Sequence, residues 1–115
     1  MAVIPVVPTR KGDWLIFTWE TVTDSDTCAP AYINHNISDA FVQVTGTFSS
    51  ASISMTGGVT SSLGVADVPD PGGTAIAVTA AGGSAIRDIW PYMAPATVSG
   101  SSSDVDVVVQ MKIVK

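Results

Sequence analysis

An all-β fold, a β-sandwich or closed barrel without a long helix, is what this sequence predicts, and three observations predict it. First, β-branched residues dominate. There are 16 Val, 9 Ile and 12 Thr against 2 Leu, so about a third of the 115 residues favour strands. Second, strong helix formers other than Ala are scarce, with one Glu (Glu20) and three Lys. Third, short apolar runs alternate with clusters of Gly, Pro, Asn and Asp along the whole chain. A chain of this length makes one domain and buries enough surface for a core without disulfides or metal.

The elements follow in order. Residues 1–12 read as an extended N-terminal arm ahead of a sandwich domain at 13–115. Pro5 and Pro8 favour an extended path and cannot donate within a sheet. The arm's Val3, Ile4, Val6 and Val7 need cover, either over the domain's own core or on a neighbouring subunit. Residues 14–19 (Trp-Leu-Ile-Phe-Thr-Trp) form a continuous apolar run that suits a strand covered on both faces. Residues 23–36 carry Asp24, Asp26, Pro30, Asn34 and Asn36 and read as a long irregular connection.

Val42 and Val44 then alternate with Phe41, Gln43 and Thr45, and Gly46 ends that strand. Ala51, Ile53 and Met55 alternate with Ser50, Ser52 and Ser54, whose hydroxyls face solvent. The short link between the two runs predicts a β-hairpin over 41–55. Residues 67–73 are a dense turn cluster, 74–79 a short strand with Ile76 and Val78 on one face, and 80–83 another turn. Residues 85–90 fit a helical turn or a short strand, 92–98 are extended, and 99–103 (Ser-Gly-Ser-Ser-Ser) turn again. The final strand is the clearest: Val105, Val107, Val109, Met111 and Ile113 occupy every second position, giving one buried face.

Composition restricts function. Charged residues are 13% of the chain, and the net charge is −5 with five cations, which argues against nucleic-acid binding. A surface so poor in charge points to a partner. No apolar run reaches the length of a membrane span, and basic residues follow the apolar N-terminus, the reverse of a signal peptide. The expectation is a protein made and used without secretion. The single cysteine, Cys28, precedes the single histidine, His35, by seven residues. With no nucleophile elbow nearby, they read as a small core thiol and a loop imidazole. Asp24 with Asp26, Asp67 with Asp70, and Asp104 with Asp106 lack the Gly and terminal Glu of a calcium loop and read as turn caps. No catalytic residue, metal site or cofactor is expected. Trp90 and Tyr92, if extended, project from one face; core packing, a protein interface or a sugar-stacking platform would each use them.

Residues 19–27 (Trp-Glu-Thr-Val-Thr-Asp-Ser-Asp-Thr), 41–48 (Phe-Val-Gln-Val-Thr-Gly-Thr-Phe), 51–57 (Ala-Ser-Ile-Ser-Met-Thr-Gly), 92–95 (Tyr-Met-Ala-Pro) and the Val-rich terminal strand form an ordered set of landmarks. In these the chain, from about Trp14 onward, resembles the small capsid decoration proteins (cement or staple proteins) of tailed bacteriophages. The resemblance implies a jelly-roll-like antiparallel β-sandwich on the outer capsid surface that clamps major capsid subunits together, assembled in the host cytoplasm. On that reading the interface residues, toward the capsid or a second copy, are Val3, Ile4, Val6, Val7, Arg10, Trp14, Ile16 and Trp19. A homo-oligomer is expected, a dimer ahead of a trimer, with the long terminal strand able to pair edge to edge. A carbohydrate-binding sandwich for host attachment, built on Trp90 and Tyr92, and a tail or collar component are the alternatives.

Overall fold

Eight strands are each paired with their counterpart counted from the other end of the chain, so the fold is a long hairpin rolled into two sheets. The computed structural model describes residues 3–23, 26–49, 51–59, 66–98 and 104–114. The strands are β1 (Val3–Ile4), β2 (Val7–Lys11), β3 (Trp14–Val22), β4 (Thr27–Cys28), β5 (Ala31–Tyr32), β6 (Ile37–Thr47), β7 (Ser52–Gly58), β8 (Ala66–Asp67), β9 (Gly82–Ala85), β10 (Tyr92–Val98) and β11 (Asp104–Ile113), with no helix among the described residues.

One sheet runs β2-β3-β11-β6-β9 and the other β5-β10-β7-β8. Thus β3 pairs with β11, β5 with β10, β6 with β9 and β7 with β8, all antiparallel. This is a jelly-roll sandwich. A small parallel pair, β1 with β4, lies outside the two sheets.

The core lies between the two inner faces. β3 contributes Leu15, Phe17 and Trp19; β11 contributes Val105, Val107, Val109, Met111 and Ile113. Across from them stand Ile53 and Met55 of β7 and Met93 of β10. The period-two pattern of 105–113 therefore has the meaning the sequence implied. β11 sits at the centre of its sheet, flanked by β3 and β6, so it offers no edge to a second copy. Edge-to-edge dimerisation through the terminal strand is excluded because both its ladders are already filled.

Several expectations are corrected. The arm is largely sheet: Val7–Lys11 pairs with β3 in register from Val7 opposite Thr18 to Lys11 opposite Trp14. Pro8 is tolerated there because β2 is an edge strand. Ile4 and Val6 pack against the domain's own core, so the boundary at residue 12 does not separate an arm from a sandwich. The 14–19 run is not equally covered on both faces, since Leu15, Phe17 and Trp19 are buried while Trp14, Ile16 and Thr18 are half-buried.

The expected 41–55 hairpin does not form, because β6 and β7 belong to different sheets. Each strand buries one face, and that alternation serves strands facing across a core as well as strands paired in one sheet. Facing sheets lie roughly 10 Å apart, which a four-residue link can cross. Half-buried Phe48 packs on the core at this corner, and its carbonyl accepts from Ala51 N–H at 2.7 Å. Gly46 does not end β6, which continues to Thr47.

The connection at 23–36 holds two short strands, β4 and β5. Residues 82–83, expected as a turn, begin β9. Among residues 85–90 Ala85 closes β9 and no helical turn follows. The strand expected over 74–79 does not form, since that segment makes only isolated bridges at Ala75 and Val78, although Ile76 and Val78 are both buried. Asp24, Ser50 and residues 99–103 lie outside the described residues.

Two turns follow the capping logic. Asp70 Oδ1 accepts from the Gly72 and Thr74 amides at 2.9 and 3.1 Å. Asp26 Oδ2 accepts from Thr23 N–H and Oγ1–H at 3.0 and 2.8 Å. Asp106 does something different. The β3–β11 register slips between Val105 and Val107, where Thr21 adopts φ 56°. Asp106 Oδ1 accepts from Thr21 N–H at 2.9 Å and so satisfies the donor freed by that bulge.

Candidate functional site

In a twisted antiparallel sheet, residues opposite one another share a face. The outer face of the five-stranded sheet can therefore be read from its registers. One row holds Lys11, Trp14, Lys112 and Asp39; the next holds Thr9, Ile16, Gln110 and Phe41; a third holds Val7, Thr18, Val108 and Gln43. Val7 is 52% exposed and Phe41 45%, while Trp14, Ile16 and Val108 are half-buried. Among the described residues charges stand at the two ends of this face, Lys11, Lys112 and Asp39 at one and Asp104 and Asp106 at the other, and the rows between them carry none. Beside Phe41 and Gln43 the glycines of β9 leave a shallow open hollow of about 380 Å³. A rigid face of apolar, amide and hydroxyl groups is thus available to a partner.

Of the eight residues expected at an interface, the sheet brings Val7, Trp14 and Ile16 onto this face. Val3 is exposed on β1, away from it, and Ile4 and Val6 point to the core. Arg10 is opposite Leu15, on the other side of β2, and its Nε donates to Gly12 O at 3.1 Å. Trp19 is withdrawn entirely: it is fully buried, and its indole N–H donates to Ala29 O at 2.8 Å. An inward position on β3 leaves it nothing to offer a partner. Phe41 and Val108 were not singled out from the sequence, although Phe41 shares the polar side of its strand with Gln43 and Thr45.

The Trp90–Tyr92 platform is not formed. Trp90 precedes β10 and lies against Gly57, where a Cβ would stand 2.5 Å from the indole Cγ. Gly57 is opposite Met93, so this is the inner side of the sheet. Tyr92 is opposite Gly58 and Tyr32, one residue on, and therefore faces outward. The aromatic pair that does exist is Tyr32 with Tyr92, ring centroids 5.0 Å apart and tilted by 33°. Tyr32 is 56% exposed. It was hidden in the sequence because its neighbour is sixty residues away.

Cys28 is half-buried beside the core, and burial, reinforced by the nearby Asp26 carboxylate, pushes its thiol pKa up to about 12. His35 lies exposed in the loop before β6. Because the folded pKa exceeds the ordinary 9.0, the thiol contributes no pH-dependent loss of stability below about pH 9. Stability is lost as pH rises from 9 toward 12. Alkylation by iodoacetamide at pH 8 should therefore be at least about tenfold slower in the folded protein than in urea, because the thiolate is the reacting form. Equal rates in the two states would contradict this environment.

Among the described residues, no group of three or more His, Cys, Asp and Glu could hold a metal ion. No helix among them is long and apolar enough to cross a membrane.

No protein-family model matches the chain, and no curated protein matches it. A solved structure that the fold is similar to is the crystal structure of protein NMB1881 from Neisseria meningitidis, with a TM-score of 0.40 and 5% identity over 93% of this chain and 83% of that one.

Proposed function

We propose that this is a structural virion protein that binds the outside of a phage capsid and cements neighbouring major capsid subunits. The observation that carries the reading is the outer face of the five-stranded sheet. It sets Val7, Trp14, Ile16, Phe41 and Val108 close together on a rigid scaffold, with the charges confined to the two ends of the face. Interface cores are rich in aromatic residues and poor in charge, so such a face suits a protein partner. The capsid enters through the resemblance of the sequence landmarks to decoration proteins. A protein that binds only the assembled lattice stabilises it by mass action, with no catalysis or cofactor. One small face holds weakly, so copies act together, as a dimer in preference to a trimer.

The reading is tested with shells from a phage lacking the gene. Purified protein is added back, and binding is read by co-sedimentation. Ile16→Glu and Phe41→Glu each put a carboxylate on the outer face without touching the core. Each should weaken binding by about thirtyfold or more, the cost of desolvating an unpaired charge in an interface, while leaving the melting temperature within a few degrees. A double variant that binds as tightly as the parent contradicts the assignment.

The Tyr32–Tyr92 pair, with Tyr32 exposed and Tyr92 half-buried, favours a second reading, a carbohydrate-binding sandwich at the virion surface or on a tail or collar. Glycan-array binding lost in Tyr32→Ala, with no binding to shells, would replace the first reading by this one.

A further inference from the structure

We propose that the free edge of β9 is a docking site for an extended segment of another polypeptide, which joins the five-stranded sheet as a further strand. The two sheets have four edges. β5 and β8 are two residues long. β2 is longer but carries Pro8, which has no N–H, followed by Arg10 and Lys11, the usual protection of a sheet edge. β9 reads Gly82-Gly83-Ser84-Ala85, with neither proline nor charge.

The ladder says which groups are free. Ile86 N–H donates to Ala40 O at 2.9 Å, so alternation places Ser84 and Gly82 in bonds to β6. The N–H and C=O groups of Gly83 and Ala85 then point away from β6. Gly83 is held to glycine by the same pairing, since a Cβ there would collide with the Val42 carbonyl.

Beside this edge opens a groove of about 480 Å³. Its far wall is the segment 74–80, whose Ala75, Ala77 and Thr79 are small and exposed. That segment is anchored to the other sheet: Ile76 N–H donates to Val68 O at 3.1 Å, and Val78 exchanges two 2.9 Å bonds with Ile53. The groove is therefore bounded by two fixed walls, one of them a backbone edge.

Area decides between occupants. Two copies pairing β9 with β9 would share an edge of four residues, roughly 13 Å long. That is far short of the roughly 800 Å² per partner of a stable dimer. A single extended segment lying in the groove is contacted from both walls and needs no second surface. Among the described residues Asp70 is the one charge in the lining, so the fitting segment is uncharged, small or β-branched, with a Lys or Arg at the Asp70 end. The edge adjoins the outer face, since Ala85 and Gly83 pair with Phe41 and Gln43, but the groove opens on its other side, and the proposal stands whether or not the partner is a capsid subunit.

A yeast-displayed library of random decapeptides, selected on the full chain, tests this. Enriched sequences should have that composition, and a synthetic decapeptide should shift and protect the Gly83 and Ala85 amides in NMR spectra. N-methylation of alternate peptide residues should weaken binding about tenfold or more, as should Ala85→Lys, which leaves the backbone intact. Absence of any binder, or binding indifferent to both changes, overturns the proposal. Concentration-dependent dimers abolished by Ala85→Lys would overturn it too, by making a second copy the occupant.

Discussion

Trp19→Ala is expected to destabilise the protein by about 3–5 kcal/mol, the usual cost of emptying a buried indole site. Trp19 is fully buried on the inner face of β3, opposite Val107, so the cavity would open in the middle of the core. The variant also strands the Ala29 carbonyl, which now accepts the indole N–H at 2.8 Å. Total stability of a domain is about 5–15 kcal/mol, so this one change removes much of it. At this size each kcal/mol moves the melting point by roughly 4 °C, giving an expected drop of about 12–20 °C. Trp19→Phe keeps most of the volume and loses the hydrogen bond, for about 1–2 kcal/mol. Calorimetry checks both. A loss below 1 kcal/mol for the alanine variant would return Trp19 to the surface, where the sequence reading had put it.

Gly46→Ala should cost about 3 kcal/mol or more, although it adds a single methyl group to an exposed position. Gly46 has φ +128°, a conformation that L side chains rarely adopt. It faces Val105, and a Cβ would run into the Asp104 carbonyl oxygen and stand 2.9 Å from Val105 Cα. Both obstacles are backbone of the central strand, so neither can swing aside. The variant either breaks the end of the β6–β11 ladder or shifts its register. Urea denaturation with hydrogen exchange at residues 104–107 distinguishes it from a mild surface change, for which both would stay at parent values.

These two residues also mark how far the sequence could be read. Period-two burial from Val105 to Ile113 was legible because every second residue is apolar and every partner position obeys the same rule. The inward half of 14–19 was equally legible as strand, but a continuous apolar run hides which side faces out. That is why Trp19 and Trp14 looked alike, although one is sealed in the core and the other sits on the outer face. The hairpin expected at 41–55 failed for a related reason. Alternation reports that a strand has a buried face; it does not report whether its chain neighbour lies beside it or across the core.

β9 was illegible because Gly82 and Gly83 have no side chains to form a pattern, and their extended conformation comes from pairing with β6. The Tyr32–Tyr92 contact depends on β5 meeting β10, a pairing that only the rolled topology creates. Of the candidate surface, Val7, Trp14 and Ile16 were found from their apolar character. Phe41 and Val108 join them through registers set by β11.

The most direct test of the capsid reading is an electron-microscopy map of the intact phage particle at a resolution that separates β-strands. Jelly-roll density is expected on the outer surface of the shell, spanning neighbouring capsid subunits, with the Trp14–Ile16–Phe41 face of the five-stranded sheet turned toward them. Density confined to the tail or collar, or a shell that carries the protein with this face turned to solvent, would contradict it.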